Sequence, residues 1–311
     1  MDIDTAVIAH RGASGYLPEH TREAKMLAYG QGADFLEQDV VATRDGQLVV
    51  LHDIHLDEVT NVAERFGDRR RPDGHHYVID FDLAELRTLE IVERRQPGSS
   101  RRARDGRFAD DAVAFRIVTL DEEIRLIREL NRTTGRDVGL YPEIKRPDWH
   151  HRHGFDLAGA LLAALDTYGY AAPDQRVFVQ CFDSAELRRC REELGTRLRL
   201  VQLTENADVL TTETLGRIAQ YADVVAPHYS QLVTRLHGHP AAAPLVEQIR
   251  ARGLGLHTYT LRRDDPAVGG SGFERLLEVL YTVAGLDGIF CDHPDVAVRV
   301  RARLRGGDEA P

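Results

Sequence analysis

Two acids two positions apart, Glu37 and Asp39, stand in the short run Leu36-Glu37-Gln38-Asp39-Val40. In a β-strand alternate side chains share a face, so the two carboxylates point the same way and can share one cation. Their apolar neighbours Phe35, Leu36, Val40 and Val41 do nothing to neutralise them. Carboxylates are mostly exposed, and this pair alone reads equally well as two solvated acids on an open strand face. Tyr141, Glu143 and Lys145 lie at i, i+2 and i+4 in a later run, adding a third carboxylate with a cation beside it. Such hard oxygen donors suit Ca²⁺ or Mg²⁺ better than zinc. His10 and Arg11, His52 and Asp53, Gln180 and Phe182, His228, Tyr259 and Asp292 stand at the ends of other apolar runs. Singly, each has an ordinary structural explanation; gathered at one end of a sheet, they form a site.

The elements that would gather them are legible as a rhythm. Thr5 to Ala9 is an apolar run entering the glycine-punctuated loop His10-Arg11-Gly12-Ala13-Ser14-Gly15, and a helical spacing from Thr21 stops at Gly30 and Gly32. Phe35 to Val41 is a second strand, Asp45-Gly46 a tight turn, and Leu48 to Leu51 a further strand ending at His52-Asp53. From Ile54 to Ala114 the rhythm breaks into a charge-rich insertion in which only Leu83 to Ile91 reads as a helix. Its arginines, as in Arg69-Arg70-Arg71 and Arg101-Arg102, are interleaved with acids and lack alternating aromatics, so a solvated mixed-charge excursion is expected rather than a nucleic-acid surface.

The rhythm returns at Thr119-Leu120-Asp121-Glu122, a capping-box spacing that opens a helix to about Leu130. Strands follow at Val138 to Lys145, Val177 to Phe182, Leu198 to Leu203, Val224 to Ala226, Leu254 to Thr260 and Gly288 to Cys291. Helical patterns alternate with them near 156–168, 184–194, 212–221, 241–252 and 273–284, with a last one after Pro294. Alternation of this kind predicts a parallel sheet. With about eight strand–helix units and no dinucleotide fingerprint after the first strand, a closed (β/α)8 TIM barrel spanning 1–311 with an insertion at 54–114 is favoured over an open doubly wound sheet. In a barrel the C-terminal strand ends form the working face, and those ends carry the residues singled out above.

Composition narrows the class of function. A net charge of −10 offers no overall basic field for nucleic acid or an anionic membrane. The three cysteines, Cys181, Cys190 and Cys291, form no paired framework and are expected to be reduced and not zinc-binding. Met1-Asp2-Ile3-Asp4 has neither a basic n-region nor an apolar stretch, and no later run is long enough to cross a bilayer. The sequence as it stands is expected to be soluble and cytoplasmic; a periplasmic or secreted location would require a removed leader. Nothing in it sets an oligomeric state.

Several motifs carry a resemblance. The stretch from His10 to Thr21, then Glu37-Gln38-Asp39, Leu51-His52-Asp53 and Tyr141-Pro142-Glu143-Ile144-Lys145 are similar, in order, to those of the glycerophosphodiester phosphodiesterase family. Gln180-Cys181-Phe182-Asp183 and the closing Gly288 to Asp295 fit as well, and the insertion after His52-Asp53 resembles the branch typified by the periplasmic glycerophosphodiesterase. Cys291 departs from the threonine common there. The resemblance implies hydrolysis of glycerophosphodiesters, such as glycerophosphocholine or glycerophosphoethanolamine, to sn-glycerol 3-phosphate and an alcohol. It implies Glu37, Asp39 and Glu143 as ligands of a divalent metal ion, Ca²⁺ or Mg²⁺, and His10 and His52 as acid and base. It implies phosphate-binding roles for Arg11 and Lys145, with Gln180, Phe182 and Tyr259 lining the remaining wall. It further implies a cyclic phosphate formed by the glycerol's own hydroxyl. Three alternatives stay open: a Mg²⁺-dependent 2-oxo acid aldolase or lyase, against which the histidine pair argues; a non-catalytic phosphate-binding barrel, which the presence of every chemical position disfavours; and a phospholipase-D-like phosphodiesterase, against which the long insertion and the small wall residues argue.

Overall fold

The computed structural model describes residues 4–109, 113–236, 239–266, 268 and 272–306. Residues 1–3 of the opening stretch and 110–112 of the expected insertion lie outside them. Parallel strands follow one another around a closed barrel: β1 (Ala6–Ala9), β2 (Phe35–Ala42), β3 (Gly139–Ile144), β4 (Phe178–Cys181), β5 (Arg199–Thr204), β6 (Val224–Pro227), β7 (Gly255–Leu261) and β8 (Gly288–Cys291). Each pairs with the next, and β8 closes on β1 with Ala6 opposite Gly288, which rules out the open sheet. The run Leu48–Val50 is not a barrel strand; it lies antiparallel on β2, with Val50 opposite Val40.

Strand alternation explains how the barrel is filled and how the working end is made. Ile8, Phe35, Tyr141, Phe178, Val201, Leu203, Val224, Ala226 and Phe290 pack together inside. Two residues further along the same inward faces come His10, Glu37 and then Asp39, Glu143, Gln180 and Asp292. The apolar plug thus ends where the polar layer begins. Register fixes the acids relative to each other, since Glu37 lies opposite Tyr141 and Asp39 opposite Glu143. Gly139 lets the two strands approach: a Cβ there would stand 2.4 Å from the Phe35 ring.

The outward faces of the strands pack under helices that include Arg22–Gly30, Leu120–Thr134, Leu157–Thr167, Ser184–Glu192 and Pro294–Leu304. The capping box at Leu120–Thr134 forms as its spacing predicts: the Glu122 backbone N–H donates to Thr119 Oγ1 and the Thr119 N–H to the Glu122 carboxylate. Some expected helices are shorter, as with Thr212–Ile218 and Pro244–Arg250.

Between Leu51 and Val118 the chain builds a second apolar core from Ile54, Leu56, Val59, Val78, Phe81, Leu89 and Ile91, among others, against Val41 of β2, Val49 of the antiparallel run and Trp149. Tyr77 stacks on Trp149 at 5.3 Å. The helix expected over 83–91 stops at Leu86, because Ile91 leaves helical geometry to bridge Thr60 and Phe115. Nor is the segment merely solvated: Arg94 and Arg107 turn inward, with side-chain exposures of 18% and 8%.

Candidate active site

The loop after β1 is held in a costly shape. Arg11 and His20 both adopt left-handed backbone (φ 57° and 58°), at about 1–2 kcal/mol for a non-glycine residue. Backbone bonds retain it: the Arg11 N–H donates to Glu37 Oε2 at 2.6 Å, and the His20 N–H to the Arg11 carbonyl at 3.0 Å. Gly12 (φ 89°) has no tolerance for a side chain, since a Cβ would sit 2.8 Å from the Ala24 carbonyl carbon.

Beneath that loop lie the three acids, all buried. Glu37 accepts from Gln180 Nε2 at 3.2 Å. Asp39 Oδ2 meets His20 Nε2 at 2.7 Å and Arg11 Nε at 3.5 Å, while Lys145 Nζ lies 2.8 Å from Glu143 and 3.6 Å from Asp39. Burial, reinforced by the Asp39 charge, pushes the Glu37 carboxyl well above the usual range. Burial pushes Glu143 up to about 7, with Lys145 opposing and Asp39 adding. Burial would raise Asp39 too, but the charges of Lys145 and His52 and the His20 bond hold it well below. Two cations, Arg11 and Lys145, thus stand against three acids. A further buried cation, Lys25, supports β2 from behind, donating to the Glu37 carbonyl and pairing with Glu123 at 3.1 Å.

The acid cluster is suited to a hard divalent cation. Donor atoms of His20, Glu37 and Asp39 all lie within 4.8 Å of one another. Asp39 Oδ1 and Gln180 Oε1 are buried and accept no hydrogen bond. Glu143, the third expected ligand, is outside that tight group and is engaged by Lys145.

Both histidines are anchored at Nδ1. His10 meets Asp292 Oδ1 at 2.7 Å, and His52 meets Asp53 Oδ1 at 2.7 Å. Burial, with the Arg11 charge, lowers His10 to about 3 against the pull of Asp292. Burial, then Arg11 and Lys145, lowers His52. In both, burial favours the neutral ring, and an anchored Nδ1–H leaves Nε2 as the acceptor.

The ten residues to which the resemblance assigns roles, His10, Arg11, Glu37, Asp39, His52, Glu143, Lys145, Gln180, Phe182 and Tyr259, line one cavity of about 550 Å³ with Asp53 and His228; Asp292 lies outside that lining and anchors His10. Phe182 and Tyr259 meet edge to face at 5.7 Å, and the Tyr259 hydroxyl donates to the Thr204 carbonyl. Sequence reasoning missed Arg94, Arg107 and Arg262, which meet the carboxylates beside the two histidines. No local signal marks them, because each works through a partner distant in sequence.

Residues 10–296 match the profile of the glycerophosphoryl diester phosphodiesterase family. A glycerophosphodiester phosphodiesterase of Haemophilus influenzae is 38% identical, over 96% of this chain and 90% of its own. One of Treponema pallidum is 35% identical, over 94% and 90%. A crystal structure of a glycerophosphodiester phosphodiesterase from Agrobacterium tumefaciens overlays with a TM-score of 0.65 at 23% identity, covering 95% of this chain and 99% of that one. An Oleispira antarctica phosphodiesterase, solved in complex with the product sn-glycerol-3-phosphate, gives 0.65 at 23% identity, covering 95% and 96%. With the profile spanning nearly the whole barrel and both curated relatives above 30% identity, this chain belongs to the glycerophosphoryl diester phosphodiesterase family and is a phosphodiesterase.

Proposed function

We propose that this chain hydrolyses glycerophosphodiesters to sn-glycerol 3-phosphate and the head-group alcohol, with a divalent cation, Ca²⁺ or Mg²⁺, held by Glu37, Asp39 and Glu143. One observation carries the reading: two histidines, each tied at Nδ1 to its own carboxylate, share a cavity with three crowded acids and the cations Arg11 and Lys145. The cation when bound supplies charge neutralisation for the phosphodiester and for these acids. Arg11 and Lys145 bind the phosphate oxygens, so the anion can accept a nucleophile. Phe182 and Tyr259 pack against the glycerol carbons.

The glycerol hydroxyl next to the phosphorylated carbon is the nucleophile, because an oriented intramolecular group reaches an effective molarity on the order of 10⁵ M. One histidine takes its proton at Nε2 while the other delivers one to the departing alcohol oxygen. The P–O bond to the alcohol breaks, a five-membered cyclic phosphate forms, and water opens it with the histidine roles reversed. The anion in the cavity raises the basicity of both rings, so the acid partner takes up its proton with substrate. Turnover of glycerophosphocholine, followed by release of sn-glycerol 3-phosphate after chelation and after adding back each metal, tests the reading. Activity that survives chelation unchanged refutes the metal assignment; no sn-glycerol 3-phosphate under any condition refutes the substrate.

A further inference from the structure

We infer that Arg94 and Arg107 are positioning residues through which the segment between β2 and β3 aligns both histidines. The inference rests on the proposed roles of His10 and His52. Each histidine is held by one oxygen of a carboxylate whose other oxygen meets an arginine of that segment. Asp53 holds His52 by Oδ1, and its Oδ2 ion-pairs with Arg94 Nη1 at 2.7 Å. Asp292 holds His10 by Oδ1, and its Oδ2 accepts from Arg107 Nη2 at 2.5 Å.

The same arginines are fixed by further bonds. Arg94 donates to Glu19 through Nε at 2.9 Å and Nη2 at 2.6 Å, and to Glu58 through Nη1 at 2.7 Å. Arg107 donates to Asp264 through Nε at 2.7 Å and to the Ser14 carbonyl through Nη1 at 3.0 Å, while Ser14 Oγ donates to the His10 carbonyl. A planar guanidinium presents five donors in a rigid fork, so it fixes the direction of its partners, whereas an ammonium is a point charge on a flexible stem. A carboxylate fixed in this way keeps its histidine in one tautomer and one orientation, which is the function of the acid in a carboxylate–histidine pair. Arg262 Nε also reaches Asp292 Oδ2, at 3.0 Å, so Asp292 retains a partner without Arg107, whereas Arg94 is the arginine that meets Asp53.

A segment that merely ties itself to the barrel would use these arginines for stability alone, and kinetics separate the two roles. A misplacement of about 1 Å costs on the order of 10²-fold in rate. R107A is expected to lower kcat about 10-fold and R94A about 100-fold, with the KM of R107A within about twofold of wild type. In cycles with the carboxylates, R107A should add nothing to D292N, and R94A nothing to D53N, whereas R107A and D53N should multiply. Should an alanine variant fail to fold, R94K and R107K, which keep the charge and lose the fork, carry the same cycles. Unchanged kcat, or effects that multiply within the Arg107/Asp292 and Arg94/Asp53 pairs, overturns the inference. Wild-type protein that releases no sn-glycerol 3-phosphate instead overturns the function reading, which is scored first.

Discussion

Lys25→Met tests how the acid-bearing strand is supported. Lys25 is fully buried on the helix Arg22–Gly30, and its ammonium bridges the Glu37 carbonyl of β2 and Glu123 of the helix Leu120–Thr134. Methionine keeps most of the volume, so the cost is electrostatic: Glu123, 1% exposed, is left without its cation. Breaking a buried pair from one side costs about 3–5 kcal/mol, which at about 2–4 °C per kcal/mol lowers Tm by roughly 6–20 °C. The loss depends on pH with a defined sign. Burial already raises the Glu123 carboxyl above its ordinary value, with Lys25 opposing. Without Lys25 it rises further, so the folded variant binds a proton more tightly than the unfolded chain. Its stability is greatest below the unfolded carboxyl's pKa and falls as pH rises through the folded one. Urea unfolding followed by circular dichroism should therefore show a smaller gap between wild type and Lys25→Met at pH 5 than at pH 8. Lys25→Met with Glu123→Leu should recover most of the loss, since removing both partners of a buried pair is often neutral. A gap that is equal at both pH values and is not narrowed by the second substitution would sink the argument.

Other expectations follow from the site. Replacing Glu37, Asp39 or Glu143 by alanine should abolish activity and bound metal while circular dichroism still reports a folded barrel, and can stabilise the metal-free protein by relieving carboxylate repulsion; full metal-dependent activity in any of the three removes that residue from the ligand set. His10→Ala and His52→Ala should each lower kcat by about 10²–10⁴-fold, and a substrate whose neighbouring glycerol hydroxyl is removed should bind yet turn over very slowly. Normal turnover of that deoxy analogue would replace the cyclic intermediate with direct attack by water. Trimming the segment after His52, which contributes Ile54 and His55 to the cavity, should shift KM and head-group preference; unaltered specificity would leave it no role at the mouth.

The barrel and the residues facing its cavity were legible because both follow from periodicity. Alternation places Phe35, Glu37 and Asp39 on one face whatever the surroundings, and the apolar–polar change along β1, β2, β3, β4 and β8 marks the working end. The limits of the insertion's helix were not legible, because Ile91 is drawn into a β-bridge by Thr60 and Phe115, partners remote in sequence. Nor were Arg94 and Arg107, which stand among arginines such as Arg70 and Arg101 whose composition is the same and whose side chains stay exposed. Burial there is decided by Glu19, Asp53 and Asp292, none of them within thirty-five residues of its arginine. Lys145 was legible as a cation near the acids, but its pairing with Glu143 depends on rotamer and so lies beyond spacing.

The joining of the first strand to the last has a consequence for how the chain comes off the ribosome. His10 lies 282 residues before the Asp292 that anchors it. Ala6 to Ala9 find their β8 partners only when Gly288 to Cys291 have emerged, and Arg301 then fastens the end of the chain to the Thr5 carbonyl. Until those residues appear, β1 presents an unpaired edge and the His10 ring has no fixed tautomer. A chain that stops short of β8 therefore carries Glu37, Asp39 and Glu143 but lacks the carboxylate that anchors His10.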